Sequence, residues 1–154
     1  MSKSLRRVVA ALRDAGLAVE PVEMEAGART AAEAAAALGC ALDQIAKSIV
    51  FAAGDGCVLF LTAGGHRVDP ARAADLAGRT LTRADADLVR RVTGFAIGGV
   101  APVGHLTAPT VWMDARLMDF DTVWAAAGTP RHVFPIAPVD LRRVTGAQVA
   151  TFAD

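Results

Sequence analysis

A chain of 154 residues is the size of one domain and long enough to bury a core without disulfide or metal staples. Hydrophobic residues make up 53% and charged residues 21%, spread along the chain, which excludes a disordered protein or a charged low-complexity tail. Sixteen basic and sixteen acidic residues cancel, so any nucleic-acid contact has to be local and not the work of a broad basic face.

In chain order, Leu5, Val8, Val9, Leu12 and Ala15 follow helical spacing up to Gly16 and predict a first helix over 4–15. A strand is expected over 18–24. Thr30 and Glu33 stand at capping-box spacing and start a helix over 31–38 that stops at Gly39. The β-branched and aromatic runs 45–53 and 57–63, separated by Gly54, Asp55 and Gly56, read as a hairpin. Asp69 and Pro70 supply an N-cap and a first-turn proline for a short helix to Leu76, closed by Gly78. Thr82 and Asp85 repeat the capping-box spacing and predict a helix over 82–91. Residues 93–105 have no periodicity but contain Gly94, Gly98, Gly99, Pro102 and Gly104, the signature of a shaped loop. Strands over 110–113, 122–126 and 131–136 and a last helix over 138–144 complete the reading. Hairpins mixed with isolated helices, without a regular β-α-β alternation, predict an α+β fold in one domain over residues 1–154.

The apolar runs are broken by Lys47, Asp55 and Gly64 well short of the roughly twenty residues of a bilayer span. Arg6, Arg7, Arg13 and Asp14 interrupt the N-terminal apolar positions, unlike a signal-peptide core. A cytoplasmic protein without membrane contact is expected. Cys40 and Cys57 form no CxxC pair, and His66, His105 and His132 are too scattered for a zinc spacing. Each cysteine reads as a small buried hydrophobe in a reducing compartment.

Three features can carry chemistry. Lys47 shares a strand face with Ile49 and Phe51, so it either snorkels to a rim or holds its ammonium in a pocket against an anionic or carbonyl-bearing ligand. The segment Gly98-Gly99-Val100-Ala101-Pro102-Val103-Gly104-His105 either aims several N–H donors at one oxygen or is a connection needing glycine at its turns. His105 in it is a loop cap or a proton carrier. The turn Gly128-Thr129-Pro130-Arg131-His132 displays a hydroxyl, a guanidinium and an imidazole, lining a pocket or forming an ordinary hairpin. No GxSxG elbow, HExxH helix, Walker loop or GxGxxG after a strand is present.

The capping-box helix, IAKSIVF strand, GGVAPVGH loop and AAGTPRHVF turn occur in the order used by the YbaK/prolyl-tRNA synthetase-associated editing domains, and the chain resembles that family along nearly its whole length. The resemblance implies a curved, mixed, largely antiparallel sheet flanked by helices, and hydrolysis of mischarged tRNA, above all tRNA for proline, without metal or other cofactor. Its functional lysine corresponds to Lys47. Gly98, Gly99, Gly104 and His105 are implied to take part in catalysis beside it, with Thr30, Val100, Pro102, Gly128, Thr129, Pro130 and His132 lining the substrate site.

The implied ligand is the acceptor end of an aminoacyl-tRNA, with a synthetase or elongation factor as a further partner, and substrate groups assist hydrolysis more than a protein nucleophile does. A small amino acid is expected. The cysteinyl-specific branch is disfavoured, since GTPRHVFPI has neutral or basic groups where that branch has an acidic one. A noncatalytic tRNA- or protein-binding module, or a small-molecule hydrolase using the same pocket, are the other readings.

Overall fold

A computed structural model describes residues 1–25 and 29–154. The elements run α1 (Lys3–Asp14), β1 (Val22–Glu23), α2 (Ala31–Leu38), β2 (Ile45–Ala53), β3 (Gly56–Ala63), α3 (Pro70–Ala77), β4 (Thr82–Arg83) and α4 (Ala86–Thr93). They continue through β5 (Thr110–Asp114), β6 (Val123–Ala126), β7 (His132–Ile136), α5 (Pro138–Thr145) and β8 (Gln148–Ala150). Short 3-10 turns at Leu42–Gln44 and Ala115–Asp119 join α2 to β2 and follow β5. The strands form one mixed sheet in the order β1-β7-β6-β2-β3-β5-β8, with β4 also paired to β2. Among the described residues four of the pairings are antiparallel and three parallel, and the longest, β2 with β3, is antiparallel.

Strand alternation assigns the core to two faces. Leu59 and Leu61 of β3, Val111 and Met113 of β5 and Phe134 of β7 point to one face, where Leu5, Val8 and Leu12 of α1 and Leu141 of α5 cover them in the main hydrophobic cluster. The opposite face carries two smaller clusters. Phe60, Trp112 and Phe152 pack under Ala73 of α3, while Met24, Ile45 and Val133 pack under Ala34 and Ala35 of α2. On β2 the residues Ile45, Lys47, Ile49 and Phe51 alternate onto this second face, with Ile45 in one cluster and Ile49 and Phe51 against the other. Lys47 therefore occupies the seam between two clusters that do not merge.

Several sequence signals are realised locally. Thr30 caps α2, its Oγ1 accepting the Glu33 amide at 3.1 Å, and an interaction of this kind is worth about 1 kcal/mol. The Glu33 carboxylate returns to the amide of Arg29 at 3.4 Å and to the Thr30 hydroxyl, one residue earlier along the backbone than the capping box predicted. Gly54, at φ 62°, turns the β2–β3 hairpin between the paired residues Ala53 and Gly56.

Other expectations are corrected. Only Val22–Glu23 of the expected strand 18–24 is a strand. Pro21, with no N–H to give a ladder, stands immediately before it. The helix predicted from Thr82 begins four residues later. Thr82 and Arg83 pair with Ala52 and Phe51 as β4, and Asp85 is the true cap, accepting the Leu88 amide at 2.8 Å. Strand β8, pairing with β5, was not anticipated.

Candidate active site

The neighbour of β2 changes along its length on one side. Ile45 and Ala46 pair with Trp124 and Ala125 of β6, whereas Phe51 and Ala52 pair with Arg83 and Thr82 of β4. Between them, residues 47–50 have no strand partner on that side among the described residues. A cleft of about 380 Å³ opens at this gap, within the size range of small-ligand sites. Its lining brings together Lys47 and Ser48 of β2, Thr30 and Ala34 of α2, Gly98 and Val100 of the glycine loop, and Thr129, Pro130 and His132 of the turn before β7. These segments lie far apart in sequence.

Lys47 is half-buried, and its Nζ donates to the carbonyl oxygen of His66 at 2.6 Å. Burial and the nearby Arg67 guanidinium lower its pKa from the ordinary lysine value, with the Asp114 and Asp43 carboxylates acting in the opposite direction. The segment that holds Lys47 is itself fixed. His66 Nδ1 meets Asp114 Oδ2 at 2.8 Å, Asp114 is only 2% exposed and also accepts the Ala63 amide, and Gly65 donates to Asp43 at 2.8 Å. Asp43 is held in turn by Arg116 at 3.0 Å. The lysine head is thus placed by a network and not free to sweep.

Gly98 lines the cleft while Gly99 and Gly128 stand outside its lining, and glycine serves two distinct ends here. Gly98 and Gly128 hold φ of 92° and 95°, backbone that other residues seldom adopt. Gly99 has no such requirement, but a Cβ there would lie 2.6 Å from the Thr129 carbonyl carbon and 2.9 Å from the Pro130 nitrogen. The glycine loop and the 128–130 turn are thus packed backbone against backbone. Ser48, absent from the sequence-derived site, is among the residues around the cleft, and its hydroxyl is buried without a hydrogen-bond partner among the described residues. Nothing in the sequence marked it, since its place beside the cleft follows from the split between β6 and β4.

Pro102, Gly104 and His105 are not brought into this cleft. They line a separate cavity of about 210 Å³ with Ala11, Val111 and Val144, on the side of the loop that faces α1 and α5. His105 Nε2 meets the Ala101 carbonyl oxygen at 2.7 Å, which makes the ring a donor there, and the ring sits edge-on to Phe95. Arg7 Nε donates to the Gly104 carbonyl at 2.8 Å and its guanidinium stacks over Phe95. The geometry makes His105 the clamp of the loop.

Burial, ahead of the nearby Arg7 charge, pushes the His105 pKa below the usual 6.5, with the bond to Ala101 opposing. A histidine whose folded pKa is depressed binds its proton more readily when unfolded, so its contribution to stability is present above about pH 6.5 and lost as pH falls through the folded value. Melting temperature is expected to decline over that window, and His105→Gln, which keeps a donor for Ala101, to flatten the decline. An unchanged pH profile in the variant would assign the acid sensitivity elsewhere.

Among the described residues no cluster of three or more His, Cys, Asp or Glu side chains could hold a metal ion. Cys57 is buried and Cys40 partly so, and burial raises both thiol pKa values. Neither lines the cleft.

Fold and cleft together define a small mixed-sheet domain in which a lysine and a glycine loop line one cleft at a gap in the sheet. Residues 25–144 match the aminoacyl-tRNA editing domain family, and the chain belongs to that family. It is 31% identical over 128 residues to the uncharacterized protein YwhH of Bacillus subtilis, covering 82% of each chain. It is 30% identical over 113 residues to a proline–tRNA ligase of Shouchella clausii, a match spanning 72% of this chain and 20% of the ligase. A solved structure described as a candidate trans-editing enzyme for prolyl-tRNA synthetase superposes with a TM-score of 0.94 at 46% identity, covering 100% of this chain and 99% of that one. No helix among the described residues is long and apolar enough to cross a membrane.

Proposed function

We propose that the chain is a trans-editing deacylase that hydrolyses the ester between a small amino acid and the 3′ end of a tRNA, in the first instance tRNA for proline. The observation that carries this reading is that half-buried Lys47, its ammonium held by the His66 carbonyl, lines one cleft together with Gly98 and Val100. Membership of the editing family and likeness to a candidate trans-editing enzyme support it.

In this reading a water molecule attacks the ester carbonyl carbon, the bond from that carbon to the ribose oxygen breaks, and the oxygen leaves with a proton as the free tRNA hydroxyl. Lys47 holds the negative charge of the ester region or terminal phosphate, and backbone N–H groups of the loop face the developing oxyanion. Thr30 lines the cleft with its hydroxyl already engaged by Glu33, so it shapes the wall and is not a nucleophile. Ala34, Ile45 and Trp124 give the cleft an apolar wall for a small side chain. One methylene in such a wall is worth only about 1–3 kcal/mol, so modest changes of lining select among alanine, serine and threonine.

Deacylation of alanyl-, seryl-, threonyl- and cysteinyl-tRNA for proline, beside the same amino acids on their own tRNAs and simple esters, tests the reading. Cleavage of one or more small-residue esters on tRNA is expected. No cleavage of any tRNA ester, or a preference for simple esters, would overturn it, and a cysteinyl preference would overturn the choice of amino acid.

A further inference from the structure

The hydrogen bonds at the turn before β7 fix more than proximity. Thr129 Oγ1 accepts the amide of Arg131 at 3.2 Å and the amide of His132 at 3.2 Å, and it lies 2.6 Å from His132 Nδ1. A hydroxyl oxygen has two lone pairs and one proton. Both lone pairs are committed to backbone donors, so the proton is what remains for the short contact to Nδ1. Nδ1 is then the acceptor, and the neutral imidazole carries its own proton on Nε2. His132 Nε2 has no hydrogen-bond partner among the described residues, and His132 is one of the residues lining the cleft. Main-chain constraint reinforces the arrangement, because His132 pairs with Glu23 of β1 and the amide of Met24 donates to the Arg131 carbonyl at 2.7 Å.

We infer that Thr129 locks His132 in its Nε2–H tautomer, so that His132 serves the cleft as a fixed hydrogen-bond donor to an oxygen of the aminoacyl ester and not as the general base. This rests on the deacylase reading for its ligand, but not for the tautomer. A general base needs a bare nitrogen facing the reacting water. Here the bare nitrogen is turned into the turn and filled by a hydroxyl proton. The free N–H can only give a hydrogen bond to an acceptor, and the aminoacyl ester supplies acceptor oxygens. A donor that is oriented before substrate arrives loses no ordering entropy on binding.

Two substitutions separate donor from base, because glutamine places an N–H close to where Nε2–H stood and cannot take up a proton from water. His132→Gln is expected to restore most of the kcat/KM that His132→Ala loses, while His132→Asn, which reaches only the Nδ1 position, stays with alanine at about a tenfold loss or more. A base would be lost equally in all three. Equal losses in all three would therefore overturn the donor role.

The tautomer is read independently from the imidazole nitrogen resonances of the 15N-labelled protein in mildly alkaline buffer, where a bare Nδ1 and a protonated Nε2 give separate shifts. Thr129→Val should convert His132 to a mixture of tautomers, and an Nδ1–H tautomer in the unmodified chain would overturn the lock. Should the unmodified chain cleave no tRNA ester, the deacylase reading fails, and these spectra still uphold or overturn the lock on their own.

Discussion

Lys47→Ala is expected to lower kcat/KM for ester cleavage about 100-fold or more while shifting the melting temperature by only a few degrees. The first figure follows from removing a preorganised charge from the place where negative charge develops, a loss of about 10²–10³ in comparable sites. The second follows from what Lys47 gives the fold. It is half-buried at the seam between two clusters, and its hydrogen bond to the His66 carbonyl contributes about 1 kcal/mol. One kcal/mol moves the midpoint of a domain of this size by about 2–4 °C. Lys47→Arg is not expected to rescue turnover, since a planar guanidinium beside Arg67 is too large and too differently shaped for the point contact of an ammonium. Full turnover in Lys47→Ala would remove the residue from the mechanism, and a collapse of the melting transition would make it a structural residue.

How much of this site the sequence could show depends on the range of the interactions that build it. The Thr30 cap and the Gly54–Asp55 turn involve neighbours within three residues, and both were legible. Lys47 was legible as an anomaly, because strand phase alone placed a charge on an apolar face. Its cause was not, because the seam arises from two clusters assembled by α2 and α3, and its carbonyl partner lies in the loop fixed by Asp114, 48 residues from His66.

The helix expected at Thr82 failed for a related reason. Its cap spacing is genuine, but β2 offers Phe51 and Ala52 as ladder partners, and long-range pairing outweighs a local cap when Asp85 can cap the helix just as well. His105 was readable as cap or proton carrier, with the hydrogen-bonded structural role favoured, and the 2.7 Å bond to Ala101 fits the cap. Ser48 stayed hidden because an unpaired hydroxyl is a statement about what surrounds it.

Gly99→Ala is the other change with a large expected effect, and it isolates spacing from chemistry. The backbone at Gly99 does not need positive φ, so alanine there carries no intrinsic strain. It does carry a methyl group that would stand 2.6 Å and 2.8 Å from the carbonyl carbon and Cα of Thr129. These are main-chain atoms, and no rotamer change can move them aside. The loop and the turn must separate by about 1 Å to restore ordinary contact, and overpacking of this kind costs about 1–3 kcal/mol.

The glycine loop and the Thr129–His132 pair are adjoining walls of the same cleft, so that separation displaces lining groups on both. A misplacement of about 1 Å costs on the order of 100-fold in turnover. Gly99→Ala is therefore expected to lose about 100-fold in kcat/KM and several degrees in melting temperature with Lys47 untouched. Gly98→Ala supplies the contrast. A Cβ there meets nothing within 4 Å, and its cost is the left-handed backbone alone, about 1–2 kcal/mol. The two variants should then melt at similar temperatures while Gly99→Ala turns over far more slowly. Equal turnover in both would show that the spacing of loop and turn is not part of the catalytic geometry.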